Sequence, residues 1–259
     1  MPSTLYNIDL PPVLPGASPH LRGVLGVPEG EGPWPGVVMV HEAFGLTPTM
    51  RRQVERMADA GFLVLMPDLF VEGGIRKCLR STFRGIFAGE GRTFDDVETA
   101  RQTLVARADC TGRIGVLGFC MGGGFALMAA SGRGFDAVSA NYGRLPKDME
   151  SVLSGACPIV GSYGGRDRSL TGAAARLDSE LTRLEVPHDV KEYPTAGHSF
   201  LYDNRRDVPK LLAPVLGKVL GAGPDPVAAA DAWQRIDAFF AEHLADATSA
   251  GAAPAASPE

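Results

Sequence analysis

Apolar residues along the chain fall into short runs separated by turn residues, with periodic helical stretches between them. Residues 36–42 (GVVMVHE) and 62–66 (FLVLM) are runs of Val, Leu and Met, which predict buried strands. Between them, Thr47 or Thr49 offers an N-cap for a helix running to about Ala60, with Gly61 as its stop. A strand–helix–strand unit of this kind predicts parallel pairing. Residues 113–118 (RIGVLG), 137–141 (AVSAN), 158–162 (PIVGS) and 188–193 (HDVKEY) read as further strands. Helices are expected over 121–131, 169–184 and 228–245. Another is expected from Thr93, with Thr93 and Asp96 as a capping box, through about Ala108. Its buried face is Val97, Ala100, Leu104 and Ala108.

Two stretches do not fit the alternation. Residues 1–33 predict short strands and Pro-rich turns. Residues 70–92 mix arginines, apolar residues and glycines, and predict an excursion over the sheet edge that could include a short helix. The alternation as a whole predicts an α/β fold, a doubly wound, mostly parallel sheet with helices on both faces. Residues 1–247 are expected to form a single domain, and the Ala/Pro/Ser-rich residues 248–259 a disordered tail. In such a sheet the ligand site lies at the carboxyl ends of the strands. Functional residues are therefore sought just after each strand.

Composition narrows the function classes. The 259 residues are 45% hydrophobic and 21% charged, the balance of one large globular domain. A net charge of −5 and the lack of any Lys/Arg-rich run argue against nucleic acid as a partner. No apolar run reaches the length of a membrane span, so no membrane partner is expected. The start of the chain lacks a basic, then apolar, leader pattern, so a cytoplasmic location is expected. The four cysteines form no CxxC pair, so neither a zinc site nor a dithiol redox site is expected.

The strongest chemical signal is Gly118-Phe119-Cys120-Met121-Gly122, followed by Gly123 and Gly124. It has the G-x-nucleophile-x-G form of a nucleophile elbow, with a strand before it and a small-residue helix after it. A helix N-terminus behind Cys120 favours a thiolate. The sequence around it lacks the G-x-G-x-x-G spacing of a dinucleotide site, and no P-loop occurs. His198, in the loop after HDVKEY, is the candidate base, and Asp167, after PIVGSY, the candidate orienting carboxylate. The chain order Cys120, Asp167, His198 is that of the α/β-hydrolases. His41-Glu42 ends the first long strand, but Gly45 stands where a zinc-binding H-E-x-x-H needs its second histidine.

The motifs His41-Glu42-Ala43-Phe44-Gly45, Pro67-Asp68-Leu69, Gly118-Phe119-Cys120-Met121-Gly122-Gly123, Tyr142-Gly143, Asp167 and Ala196-Gly197-His198-Ser199-Phe200 together resemble the dienelactone hydrolase family over about residues 20–245. The resemblance implies an α/β-hydrolase fold with Cys120 as nucleophile of a Cys-His-Asp triad. It implies that Glu42 holds or receives the thiol proton, and that the N–H groups of Ala43 and Met121 form the oxyanion hole. Substrates would be small lactones or esters, cleaved through an acyl-cysteine without metal or organic cofactor, by a monomer or weak homo-oligomer. Candidate substrate-binding residues are Phe44, Arg84, Tyr142, Tyr202 and Arg205. The family carries a substrate-binding arginine four residues after the histidine, where this chain has Tyr202, with Arg205 and Arg206 beyond it. A second family arginine follows the Pro-Asp-Leu segment, in the region of Arg80 and Arg84. Dependence on a substrate carboxylate is accordingly expected to be weaker than in that family. Acyl transfer to an acceptor other than water, and a non-catalytic binding scaffold, stand as alternatives.

Overall fold

The computed structural model describes residues 2–203 and 221–245. Strands β1 (Thr4–Asp9), β2 (Arg22–Val27), β3 (Trp34–Val40), β4 (Leu63–Pro67), β5 (Cys110–Phe119), β6 (Ala137–Asn141), β7 (Ile159–Gly164) and β8 (His188–Tyr193) form one sheet. Their order is β1-β2-β4-β3-β5-β6-β7-β8. β1 and β2 pair antiparallel, β2 joins β4 antiparallel, and every later pair is parallel.

The helices are α1 (Pro48–Asp59), α2 (Gly74–Ala88), α3 (Arg92–Val105), α4 (Met121–Met128), α5 (Met149–Leu153), α6 (Ala173–Arg183) and α7 (Pro226–His243). Alternation along the strands sorts the core into two layers. Val38, Val40, Leu63, Leu65, Ile114 and Val116 face α3, α4 and α6. Val37, Met39, Val64, Met66, Leu117 and Phe119 face α1 and α7. Each central strand is thus apolar on both sides, as a sheet covered on both faces requires. Among the described residues no helix is long and apolar enough to cross a membrane.

Thr47 caps α1 as its sequence suggests, its hydroxyl accepting from the Met50 N–H at 3.3 Å, with Pro48 in the first turn. Four sequence expectations are corrected. The excursion after β4 holds α2, a full 15-residue helix that ends at Gly89 with φ 73°. α3 has no capping box: Gly91 is its N-cap, and Thr93 lies inside the helix. Asp96 is committed elsewhere, accepting from the Ser18 N–H at 2.6 Å and the Ser18 hydroxyl at 2.9 Å. α3 stops at Val105, short of Ala108, and α4 at Met128. The expected tail, 248–259, lies outside the described residues.

β3 sits where the winding reverses. α1 leads from β3 to β4 on one face of the sheet, and α2 and α3 return the chain to β5 on the other. The crevice between the carboxyl ends of β3 and β5 is the expected ligand site.

Candidate active site

Register brings the first two groups together. Val40 of β3 pairs with Gly118 of β5, so Glu42 and Cys120 each stand two residues beyond that pair. Cys120 is the N-cap of α4 and adopts φ 54° and ψ −108°, a left-handed conformation that a non-glycine residue seldom takes. The turn is held by the Cys120 N–H donating to Asn141 O at 3.0 Å and the Gly124 N–H donating to Cys120 O at 3.1 Å. The neighbouring glycines are demanded by backbone contacts. A Cβ at Gly118 would lie 1.9 Å from Gly122 O, and one at Gly122 would lie 2.2 Å from Val40 O. The elbow is therefore wedged against β3 and its own helix, with no room for a side chain at Gly118 or Gly122, two residues either side of the cysteine.

β7 and β8 deliver the other two residues. Asp167 follows β7 and caps a 3-10 turn at Arg168–Leu170. Its Oδ1 accepts from the Ser169 N–H at 3.0 Å and the Ser169 hydroxyl at 2.6 Å. Its Oδ2 accepts from His198 Nδ1 at 2.6 Å. The Asp167 side chain has no exposed surface and that of His198 is 12% exposed. Burial alone would raise the Asp167 carboxyl, but the bonds from His198 and Ser169 hold it below the usual carboxylate range. For His198, burial acts to lower the pKa. The charge and hydrogen bond of Cys120 and those of Asp167 outweigh it and push the imidazole up to about 10. The ring thus lies between the Cys120 sulfur and the Asp167 carboxylate.

Glu42 leaves β3 under the control of His41, which is fully buried. His41 Nε2 accepts from the Leu69 N–H at 3.2 Å, so Nδ1 carries the proton and donates to Glu42 O at 2.7 Å. Burial lowers the His41 pKa and keeps this clamp neutral. Tyr142 follows β6 at φ 41°, its ring centroid 5.1 Å from that of His198. Tyr202 packs 6.2 Å from Tyr142, edge to face. Both phenols are buried, which raises their pKa values, and the Glu42 charge adds to the shift. Among the described residues neither hydroxyl meets full hydrogen-bond geometry. The N–H of Met121, at the first position of α4, has no partner within the helix, as helix geometry dictates. Ala43 stands between the clamped Glu42 and the turn closed by the Gly45 N–H donating to Glu42 O at 3.2 Å.

Cys120, Met121, Tyr142 and His198 line one cleft of about 830 Å³. The other substrate-binding candidates lie apart from it. Phe44 lines a separate cavity with Arg22 and Asp68. Arg84 is exposed on α2 and does not line the cleft, and Arg80 is exposed likewise. Tyr202 is buried behind Tyr142 rather than in the cleft wall. Arg205 and Arg206 lie outside the described residues. The residues missed in the sequence are Ser169, Phe83 and Ile86 of α2, and the wall made by α5. The Asp167-Arg168-Ser169 spacing, a side-chain-capped turn, was a signal for the first. Among the described residues no cluster of His, Cys, Asp and Glu is suited to a metal ion.

The dienelactone hydrolase family model matches residues 21–244. A carboxymethylenebutenolidase of Rhodococcus opacus is 28% identical over 222 residues, covering 80% of this chain and 81% of that protein. A dienelactone hydrolase-like promiscuous phosphotriesterase from metagenomic libraries has a structure with TM-score 0.75 at 25% identity, covering 95% of this chain and 100% of that one. The dienelactone hydrolase of Anabaena variabilis shares the fold with TM-score 0.68 at 22% identity, again covering 95% and 100%. With a family match across nearly the whole described sheet, the chain belongs to the dienelactone hydrolase family, ester and lactone hydrolases of the α/β-hydrolase fold.

Proposed function

We propose that Cys120 is the nucleophile of this hydrolase and that catalysis runs through an acyl-cysteine. The observation that carries this reading is the His198–Asp167 bond of 2.6 Å in the cleft that also holds Cys120 on its left-handed elbow. The Cys120 sulfur attacks the ester carbonyl as a thiolate, forming a C–S bond and a tetrahedral oxyanion. The N–H groups of Ala43 and Met121 receive that oxygen, each donor typically contributing about 3–4 kcal/mol. Collapse breaks the C–O bond, and the His198 imidazolium gives its proton to the departing alkoxide. His198, now neutral, accepts a proton from water as the water attacks the thioester. The acid leaves, and the thiolate and imidazolium are restored. Asp167 keeps the imidazole oriented and its charged form favoured throughout. His198 carries its own proton before the thiol ionises, and Glu42 takes up the thiol proton, so that thiolate and imidazolium stand together; the Glu42 carboxylate lies within electrostatic reach of Tyr142 and Tyr202.

The test is Cys120→Ala assayed with p-nitrophenyl acetate. Triad members act as a unit, so kcat is expected to fall by about 10⁴-fold or more with the urea-unfolding midpoint retained. A variant keeping a tenth of the turnover would remove Cys120 from the mechanism.

A further inference from the structure

The reach of the cleft beyond the reacting atoms carries information about the substrate. Its volume of about 830 Å³ is near the top of the roughly 300–1,000 Å³ range of pockets that hold drug-sized ligands. A single small lactone ring would leave most of it empty. The walls beyond Cys120 and His198 are apolar: Phe83 and Ile86 from α2, Met128 from α4, Leu145 from the loop after β6, Val152 from α5 and Leu170 from the 3-10 turn. All but Ile86 are half-buried, backed by the core and bare toward the cleft. Its charged lining groups, Arg144, Lys147 and Asp148, are exposed to solvent on the same loop. Asp148 is in addition engaged in capping α5, accepting from the Ser151 N–H at 3.0 Å. Apolar walls with a few polar groups around a reactive centre are the usual lining of a small-molecule site.

We propose that this cleft binds the apolar part of the substrate, so that the enzyme acts on hydrophobic esters, with medium-length alkyl or aryl groups, in preference to small lactones. This rests on the reading of Cys120 and His198 as the reacting pair. Val152 and Met128 are then specificity-determining residues that set how long a chain fits. Helix α2 serves as the substrate wall, which gives the excursion between β4 and α3 a function.

The experiment measures kcat/KM for two ester series on the wild-type protein. One varies the acyl chain of p-nitrophenyl esters from acetate to octanoate; the other varies the alkoxy chain of alkyl acetates over the same lengths. Burial of a methylene corresponds to about 0.8 kcal/mol, or about fourfold. At least one series should therefore climb by fifty-fold or more before it levels off. In Val152→Trp the ratio of long-chain to short-chain kcat/KM should fall at least tenfold, because the indole occupies the volume that the chain would fill. Flat or falling profiles in both series, with turnover still abolished by Cys120→Ala, would overturn the assignment of the cleft and leave the nucleophile standing. Turnover that survives Cys120→Ala would instead remove the reading beneath it.

Discussion

Both oxygens of Asp167 are engaged, one by Ser169 and the other by His198 Nδ1. Its charge is one of two supports that raise the His198 pKa to about 10 against the effect of burial. Asp167→Asn removes a negative charge beside a cation, so the imidazolium is less favoured and its pKa falls. The basic limb of kcat/KM, which reports the free enzyme, should lie near pH 10 in the wild type and move at least one unit lower in the variant. Turnover at pH 8 should drop by about 10³–10⁴-fold, as when a triad aspartate is neutralised elsewhere. A basic limb that stays in place would show that Asp167 does not support the charge on His198. The cysteines give a second residue-scale test. Burial pushes the Cys157 thiol up to about 12 and raises Cys110, while Cys78 is buried. Cys120 alone borders His198 and a helix N-terminus, so iodoacetamide should label it first. Faster labelling of Cys110 or Cys157, read by peptide mass spectrometry, would contradict this.

The elements that position the site were legible where local signals decide structure. β3, β4 and β5 follow from their apolar runs, and α1 from a threonine cap, Thr47 or Thr49, with Gly61 as its stop. α2 was not legible, because its flanking glycines read as turn residues while serving as the helix's own caps at Gly73 and Gly89. The start of α3 was misread for a different reason. Asp96 looks like the acidic half of a capping box, yet its partner Ser18 is 78 positions away in the sequence. Only the fold brings the N-terminal loop onto α3, and Arg92 completes the cluster by donating to the Ser18 hydroxyl at 2.8 Å. Asp96→Ala would leave the Ser18 donors and Arg92 without this carboxylate. Hydrogen bonds to a charged group contribute about 1.5–3 kcal/mol, so urea unfolding should show a loss of that order with an unchanged slope. A loss under 0.5 kcal/mol would mean that the loop is held by other contacts. None of Ser18, Arg92 and Asp96 lines the cleft, so kcat should be retained.

At the scale of the whole molecule, the three candidate triad residues were legible because a doubly wound sheet places the residues after its strands along one edge. Cys120, Asp167 and His198 come after β5, β7 and β8, and the fold joins what some 80 residues of sequence separate. The volume and walls of the cleft were not legible, since they depend on how α2, α4, α5 and the loop after β6 pack around it. The choice of arginine was equally hidden: Arg84 points to no part of the cleft lining, and the position four residues past His198 is a buried tyrosine beside Glu42. The central claim is that one sulfur carries the acyl group between the ester and water. It is tested most directly by acid-quenching the wild-type enzyme during turnover of a p-nitrophenyl ester and locating the adduct by mass spectrometry. The account predicts a mass increase of one acyl group on the peptide holding Cys120, lost when substrate is exhausted. An acyl group on any other residue, or steady turnover with Cys120 never acylated, would contradict it.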